Sequence, residues 1–300
     1  MPNFAANLSM MFTELPFLER FAAAREAGFD AVEFLFPYAV EARQIATRLE
    51  RHHLQLAVFN FPPGDWEHGE WGIACDTRRG EQFRHYVQVA LNYALALGAK
   101  QLHCMAGIVA HGMSLGLARQ SLIGNLQYAA DACLPHGIDV LIEPINRYDM
   151  PAYFLNHSQQ AADIITDCQR SNVFLQYDVY HMQRMEGELS NTIRTMLPLI
   201  RHIQIADTPG RHEPGTGEIN YRHLFKLLDQ IGYAGWVGCE YRPASDTVAG
   251  LGWREQLMGT AGTAGTGGLR GLPASREFKT ASTVDRSTLA PAQGSQRRPA

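Results

Sequence analysis

No Cys-x-x-Cys spacing occurs anywhere in the chain. Its five cysteines, Cys75, Cys104, Cys133, Cys168 and Cys239, are scattered and odd in number. That argues against a disulfide frame or a zinc knuckle and for reduced, buried, inert thiols. No basic residue precedes Arg20, so neither a signal-peptide n-region nor an Arg-rich transit segment is expected, and a cytoplasmic protein is. A run of about 18 apolar residues is also missing, which leaves no helical membrane span to expect. A basic stripe is missing too. The formal net charge is -4, whereas a nucleic-acid partner calls for clustered Lys and Arg to neutralise phosphates. What is present is apolar mass. A hydrophobic content of 46% over 300 residues can bury one barrel-sized core or two smaller ones.

Strand and helix signals alternate along that mass. Strands are expected over 3–8, 31–36, 54–59, 100–105, 138–143, 173–178, 202–205 and 236–240. Helices are expected over 16–27, 41–51, 81–97, 117–134, from an N-cap at Ser158 to 167, 189–197 and 221–231. The helix over 81–97 is the clearest: Phe83, Tyr86, Val87, Ala90, Leu91 and Ala94 recur at helical spacing, and Gly98 stops it. Eight strands alternating with helices predict a parallel sheet closed as a (β/α)8 TIM barrel, with a doubly wound open sheet as the alternative. After the first strand stand Asn7, Leu8, Ser9 and Met10 rather than a Gly-rich phosphate loop, which weighs against a dinucleotide-binding version. The loop over 60–80, with Trp66 and Trp71, is long enough for a lid or binding loop. Its tryptophans either cover a site or simply pack.

The barrel domain is expected over 1–258 and a disordered tail over 259–300. The tail is a mixture of Gly, Thr, Ala, Ser, Pro and Arg whose only aromatic is Phe278, too little apolar surface to offset its ordering entropy. It carries six basic and two acidic residues, hence +4, which leaves -8 on the preceding body.

In such a barrel the active site gathers at the C-terminal ends of the strands. Glu143 closes the fifth strand, Asp178 the sixth and Glu240 the eighth, and Gln204 lies in the seventh beside His202 on one face. One acid at a strand end is usually a cap or a surface residue. Four oxygen donors at matching positions are hard to produce by accident, and oxygen-only ligands suit a hard divalent cation, Mg²⁺ or Mn²⁺. His181, three residues past Asp178, reads either as a metal-site or substrate contact or as a structural histidine. Arg211, in the Pro- and Gly-rich loop after the seventh strand, reads either as a bidentate clamp on a carboxylate or sugar oxygen, or as a solvated cation. Residues Gly215, Thr216 and Gly217 read as a turn.

The segments FAANLSMMF, AVEFLFPY, PPGDW, GIAC, LIEPIN, QYDVYHMQRMEGEL, HIQIADTPGRHEPGTGEINY and GWVGCEY resemble the hydroxypyruvate isomerase family. That family lies within the xylose-isomerase-like barrels, which also include sugar epimerases and an apurinic-site endonuclease. The near relative 2-oxo-tetronate isomerase shares the same motifs. The resemblance runs from Asn3 to about Trp253. It implies a small 2-oxo or hydroxy acid substrate, Glu143 and Glu240 as an acid/base pair, and Glu143, Asp178, Gln204 and Glu240 around a divalent metal. His181 and Arg211 would then hold substrate. Relatives end soon after the segment around Trp253, so the longer chain bears on how the barrel's last seam closes. An oligomer is compatible with all of this. A ketose 3-epimerase, a metal-dependent phosphodiesterase on abasic DNA and a non-catalytic sugar-acid binding barrel are the competing readings.

Overall fold

Short apolar strands make the inner wall. They are β1 (Asn3–Asn7), β2 (Ala31–Phe34), β3 (Gln55–Asn60), β4 (Gln101–His103), β5 (Asp139–Ile142), β6 (Val173–Asp178), β7 (Ile200–Gln204) and β8 (Trp236–Cys239). Each pairs in parallel with the next in chain order. β8 returns to β1 through Asn3↔Trp236, Phe4↔Val237, Ala5↔Gly238 and Ala6↔Cys239, and the barrel closes. This computed structural model describes residues 1–258; the tail read over 259–300 lies outside the described residues. The helices are α1 (Arg20–Glu26), α2 (Ala42–Arg51), α3 (Gly80–Leu97), α4 (Leu115–Cys133), α5 (Ser158–Cys168), α6 (Val179–Met185), α7 (Leu189–Met196), α8 (Tyr221–Gln230), α9 (Thr247–Gly250) and α10 (Trp253–Met258). Among the described residues, no helix is long and apolar enough to cross a membrane.

Helix cover explains why β2 and β6 are buried at every residue, as parallel strands with both faces packed must be. On α3, Phe83, Val87, Ala90, Leu91, Ala94 and Leu97 form the buried stripe, and the helix ends at Gly98 in the left-handed region, φ 67°. All five cysteines are buried thiols. Burial pushes the thiols of Cys75 and Cys133 up to about 12, which keeps them inert.

Element ends shift by a few residues throughout, and three departures from the sequence reading have a visible cause. α4 begins at Leu115 because the Ser114 hydroxyl accepts from the Leu117 N–H, 3.2 Å away. Ser158 is the first residue of α5 rather than its cap. The Glu186 carboxylate takes over, accepting from the Ser158 N–H at 2.6 Å and the hydroxyl at 2.7 Å. α6 was not foreseen at all, because Asp178 both closes β6 and caps the helix that follows.

Inside the barrel, side chains two residues apart along each strand make layers. Val58, Leu141 and Phe174 form one apolar cluster, and Ala5, Ala31 and Ala57 with Trp236 form another. Two residues past Ala5, Ala31, Val58, Leu141 and Phe174 come Asn7, Glu33, Asn60, Glu143 and Gln176, and His103 joins them from β4 with Nδ1 3.2 Å from Asn60 Oδ1, all buried and polar. The closing seam is complete. Trp253 packs edge-on against Phe4 with ring centroids 5.1 Å apart, lies 5.7 Å from Phe225, and donates its indole N–H to the Tyr241 hydroxyl at 3.2 Å.

Candidate active site

The polar layer opens upward into a cavity of about 470 Å³ at the C-terminal ends of the strands. Glu143, His181, Arg211 and Glu240 line it, with Trp66 and Trp71 also in the wall. Glu143 directly follows β5, Asp178 and Gln204 end β6 and β7, and Glu240 directly follows β8. The strand-end reading thus put each of them at the correct end of the barrel.

Asp178 divides its two oxygens between tasks. Oδ1 accepts the backbone N–H groups of Tyr180 at 2.7 Å and His181 at 3.4 Å, starting α6. Oδ2 is buried and meets no hydrogen-bond donor. Glu143 is divided in the same way: Oε2 accepts from Gln176 Nε2 at 2.9 Å, while Oε1 is buried without a donor. One carboxylate oxygen each from Glu143 and Asp178 and a ring nitrogen of His181 lie within 4.8 Å of one another. Unpartnered carboxylate oxygens in a buried pocket are costly without positive charge nearby, so this donor set fits a divalent cation.

Asn146 decides how His181 takes part. Its Oδ1 accepts the N–H groups of Tyr148 at 3.0 Å and Asp149 at 2.9 Å, which forces its amide nitrogen toward His181 Nδ1, 2.6 Å away. Nδ1 is therefore an acceptor, and in the neutral ring the proton sits on Nε2. Burial, and then the Arg211 charge, hold the His181 pKa well below the usual range, so the ring is neutral. Nε2 stands among Arg211 Nη2 at 3.4 Å, Asp178 Oδ2 at 3.6 Å and Glu143 Oε1 at 3.7 Å, and the much shorter Asn146 contact, rather than the long one from Arg211, decides which nitrogen carries the proton. A nitrogen carrying its proton is suited to donate to an oxygen, not to ligate a cation. The oxygens of the set are the better ligands.

Arg211 supplies the resident positive charge. Its Nη2 lies 3.2 Å from Glu240 Oε2 and 3.7 Å from Asp178 Oδ2, and its guanidinium stands 5.0 Å over the Tyr180 ring. It is no solvated loop cation: its side chain is 15% exposed. The loop that carries it is organised by Asp207, whose carboxylate accepts from the N–H groups of Thr208, Gly215 and Ile219. Residues 215–217 sit in that turn, as their composition suggests.

The carboxyls titrate high. Burial, then the charges of Glu240 and Asp178, raise the Glu143 pKa well above the carboxylate range. Burial pushes Glu240 up to about 8 against the pull of Arg211, with Asp178 and Glu33 adding to the rise. Asp178 is raised by burial and restrained by Arg211 and its two backbone donors.

Four residues in or behind the site wall escaped the sequence reading. His103 Nε2 lies 3.5 Å from Glu143 Oε2, and burial pushes its pKa down to about 3. Gln176 binds Glu143 and also the Gln204 amide oxygen, at 2.7 Å. Glu33 accepts from Gln204 Nε2 at 2.8 Å. Asn146 is the fourth. Inward alternation was the available signal: Gln176 stands two residues before Asp178, and Glu33 is a carboxylate inside an apolar strand.

A closed eight-stranded parallel barrel, with buried carboxylates converging at the C-terminal ends of its strands, defines a TIM-barrel enzyme. The profile of the xylose isomerase-like TIM barrel family matches residues 21–257. The chain belongs to that family and is an isomerase. It is 48% identical over 255 residues to hydroxypyruvate isomerase of Escherichia coli, covering 85% of this chain and 99% of that protein. It is 46% identical over 259 residues to 2-oxo-tetronate isomerase of Cupriavidus necator, covering 86% and 100%. A crystal structure described as an AP endonuclease, family 2, from Brucella melitensis superposes with a TM-score of 0.84 at 50% identity, over 85% of this chain and 99% of that one.

Proposed function

We propose that the chain interconverts hydroxypyruvate and 2-hydroxy-3-oxopropanoate (tartronate semialdehyde), moving a proton between C3 and C2 through an enediolate. One observation carries the reading: two buried glutamates, Glu143 and Glu240, line the same cavity as Arg211, and burial raises the proton affinity of both. An isomerisation of this kind needs one group to take a proton and a second to return one, each poised near the working pH.

The ionised member of the pair takes the C3 proton, the protonated member hands its own to C2, and the C3 hydroxyl proton passes to the C2 oxygen, so that hydroxyl and carbonyl exchange places. Arg211, planar and forked, holds the substrate carboxylate. His181, fixed by Asn146, offers Nε2–H to the substrate oxygen on which charge develops. Glu143, Asp178, Gln204 and Glu240 would hold Mg²⁺ or Mn²⁺, which when bound supplies positive charge to both substrate oxygens. Trp66 and Trp71 shield the pocket from bulk water.

Turnover in D₂O tests the two-residue relay. A product carrying deuterium at C2 is expected. A C2 hydrogen derived entirely from the substrate would refute it.

A substrate one carbon longer is the second reading. The 46% identity to a 2-oxo-tetronate isomerase and a cavity of about 470 Å³, roomy for a three-carbon acid, favour it. Epimerisation of a free ketose would leave the product carbonyl on its original carbon. Abasic-DNA cleavage is disfavoured by the charge of -8 that remains on residues 1–258 once the tail's +4 is removed from the total of -4.

A further inference from the structure

Glu33 sits in β2 with 1% exposure, among side chains whose polar groups all aim at it. Its Oε1 accepts from Asn7 Nδ2 at 2.9 Å and Gln204 Nε2 at 2.8 Å, and its Oε2 meets His202 Nε2 at 2.6 Å. Glu33 does not line the substrate cavity. Space for it is kept by β8, on the far side of β1: a methyl group in place of the Gly238 hydrogen would overlap both Glu33 oxygens. Strand β8 therefore spends a glycine, two residues before Glu240, on accommodating this carboxylate.

A carboxylate surrounded by donors only accepts. The Gln204 amide must therefore offer Glu33 its nitrogen and cannot turn by half a rotation. Its oxygen is forced the other way, where Gln176 Nε2 meets it at 2.7 Å. The second hydrogen on that same nitrogen goes to Glu143 Oε2, 2.9 Å away, and Glu143 Oε1 is left unpartnered. Orientation thus passes from Glu33 through two amides to the glutamate at the cavity floor.

Resting on the cation site proposed above, we infer that Glu33 is a positioning residue: it fixes Gln204 with the amide oxygen turned away from Glu33, toward Gln176 and the Glu143 side of the barrel, and, through Gln176, leaves one Glu143 oxygen free. Without it, Gln204 can present N–H to the site, and an N–H repels a cation.

Mn²⁺ titration of the full chain, followed by electron paramagnetic resonance and paired with thermal unfolding, tests this. Glu33→Leu removes the acceptor and should weaken Mn²⁺ binding about 10–100-fold, the range for losing a partner that orients a metal ligand. Gln204→Glu alone sets two carboxylates face to face and should lower the melting temperature. Joining it to Glu33→Gln exchanges acceptor and donor, and should recover both the melting temperature and Mn²⁺ affinity. A folded Glu33→Leu chain that binds Mn²⁺ like the wild type would overturn the inference. So would an exchange that melts no higher than Gln204→Glu alone. If the wild type binds no Mn²⁺, the cation reading itself has failed. Recovery of the melting temperature in the exchange then decides the Glu33–Gln204 orientation by itself.

Discussion

Burial sets what Glu143 and Glu240 can do. Each would be a spectator carboxylate in water near pH 7, whereas inside the barrel each holds a proton much more tightly. Glu143→Gln or Glu240→Gln should reduce turnover about 10²–10⁴-fold with unchanged circular dichroism. Near-normal turnover in both would remove the acid/base assignment. The same shifts have a stability consequence of definite sign. Between the ordinary carboxylate range and about 8, where Glu240 titrates, the folded chain binds more protons than the unfolded one. Stability therefore falls as pH rises through that window. A bound cation offsets the buried charge that forms as the carboxyls ionise, so the melting-temperature gain from Mn²⁺ should widen from about pH 5 to about pH 8. A gain that stays constant over this range would mean that these carboxyls do not meet the cation. Glu143, Asp178, Gln204 and Glu240 were legible because strand ends in a barrel have a known destination. Glu33, Gln176 and His103 were not, since a polar residue inside an apolar strand shows its partner only when another strand, far away in sequence, is brought beside it.

Loops and caps make the elements functional. Asp207 is the hub of the loop after β7, with backbone donors at 2.9 Å from Thr208, 2.8 Å from Gly215 and 3.1 Å from Ile219. That loop presents Arg211, and the Arg211 carbonyl accepts from the Arg242 N–H at 2.9 Å, which joins it to the segment after β8. Asp207→Ala leaves these donors unmet. It should destabilise the chain by about 1–3 kcal/mol and raise KM more than it lowers kcat, because a binding group is released and the proton pair is not. Steady-state kinetics with chemical denaturation checks both; an unchanged KM would separate Arg211 from substrate binding. Helix periodicity found α3 and α8 cleanly because their apolar stripes are long. It missed α6, which spans only Val179–Met185, too short for a period to emerge, and is started by Asp178, a residue already assigned to the strand. Ser158 was misplaced as a cap because its partner, Glu186, comes from outside the local sequence.

At the scale of the whole molecule, alternation of strand and helix signals was enough to predict barrel closure, since eight parallel strands with crossover helices have few other ways to bury both faces. How the seam closes was not legible, because it rests on aromatic contacts between the two ends of the barrel. Phe4, Phe225 and Trp253 meet there, and Arg254 reaches the carbonyls of Ala27 at 3.3 Å and Gly28 at 3.4 Å. Trp253→Ala should cost about 3–5 kcal/mol of stability, read by denaturant unfolding; a loss under about 1 kcal/mol, far below that range, would show that the seam does not depend on it. The fold and the isomerase class follow from barrel and family together, whereas the substrate depends on side chains in one cavity. The most direct test is proton NMR of the full chain with hydroxypyruvate, first with Mg²⁺ and then with EDTA. Tartronate semialdehyde should appear and then stop forming on chelation. No product from folded protein in either condition would contradict the proposed reaction, and product that persists in EDTA would contradict the part given to the cation.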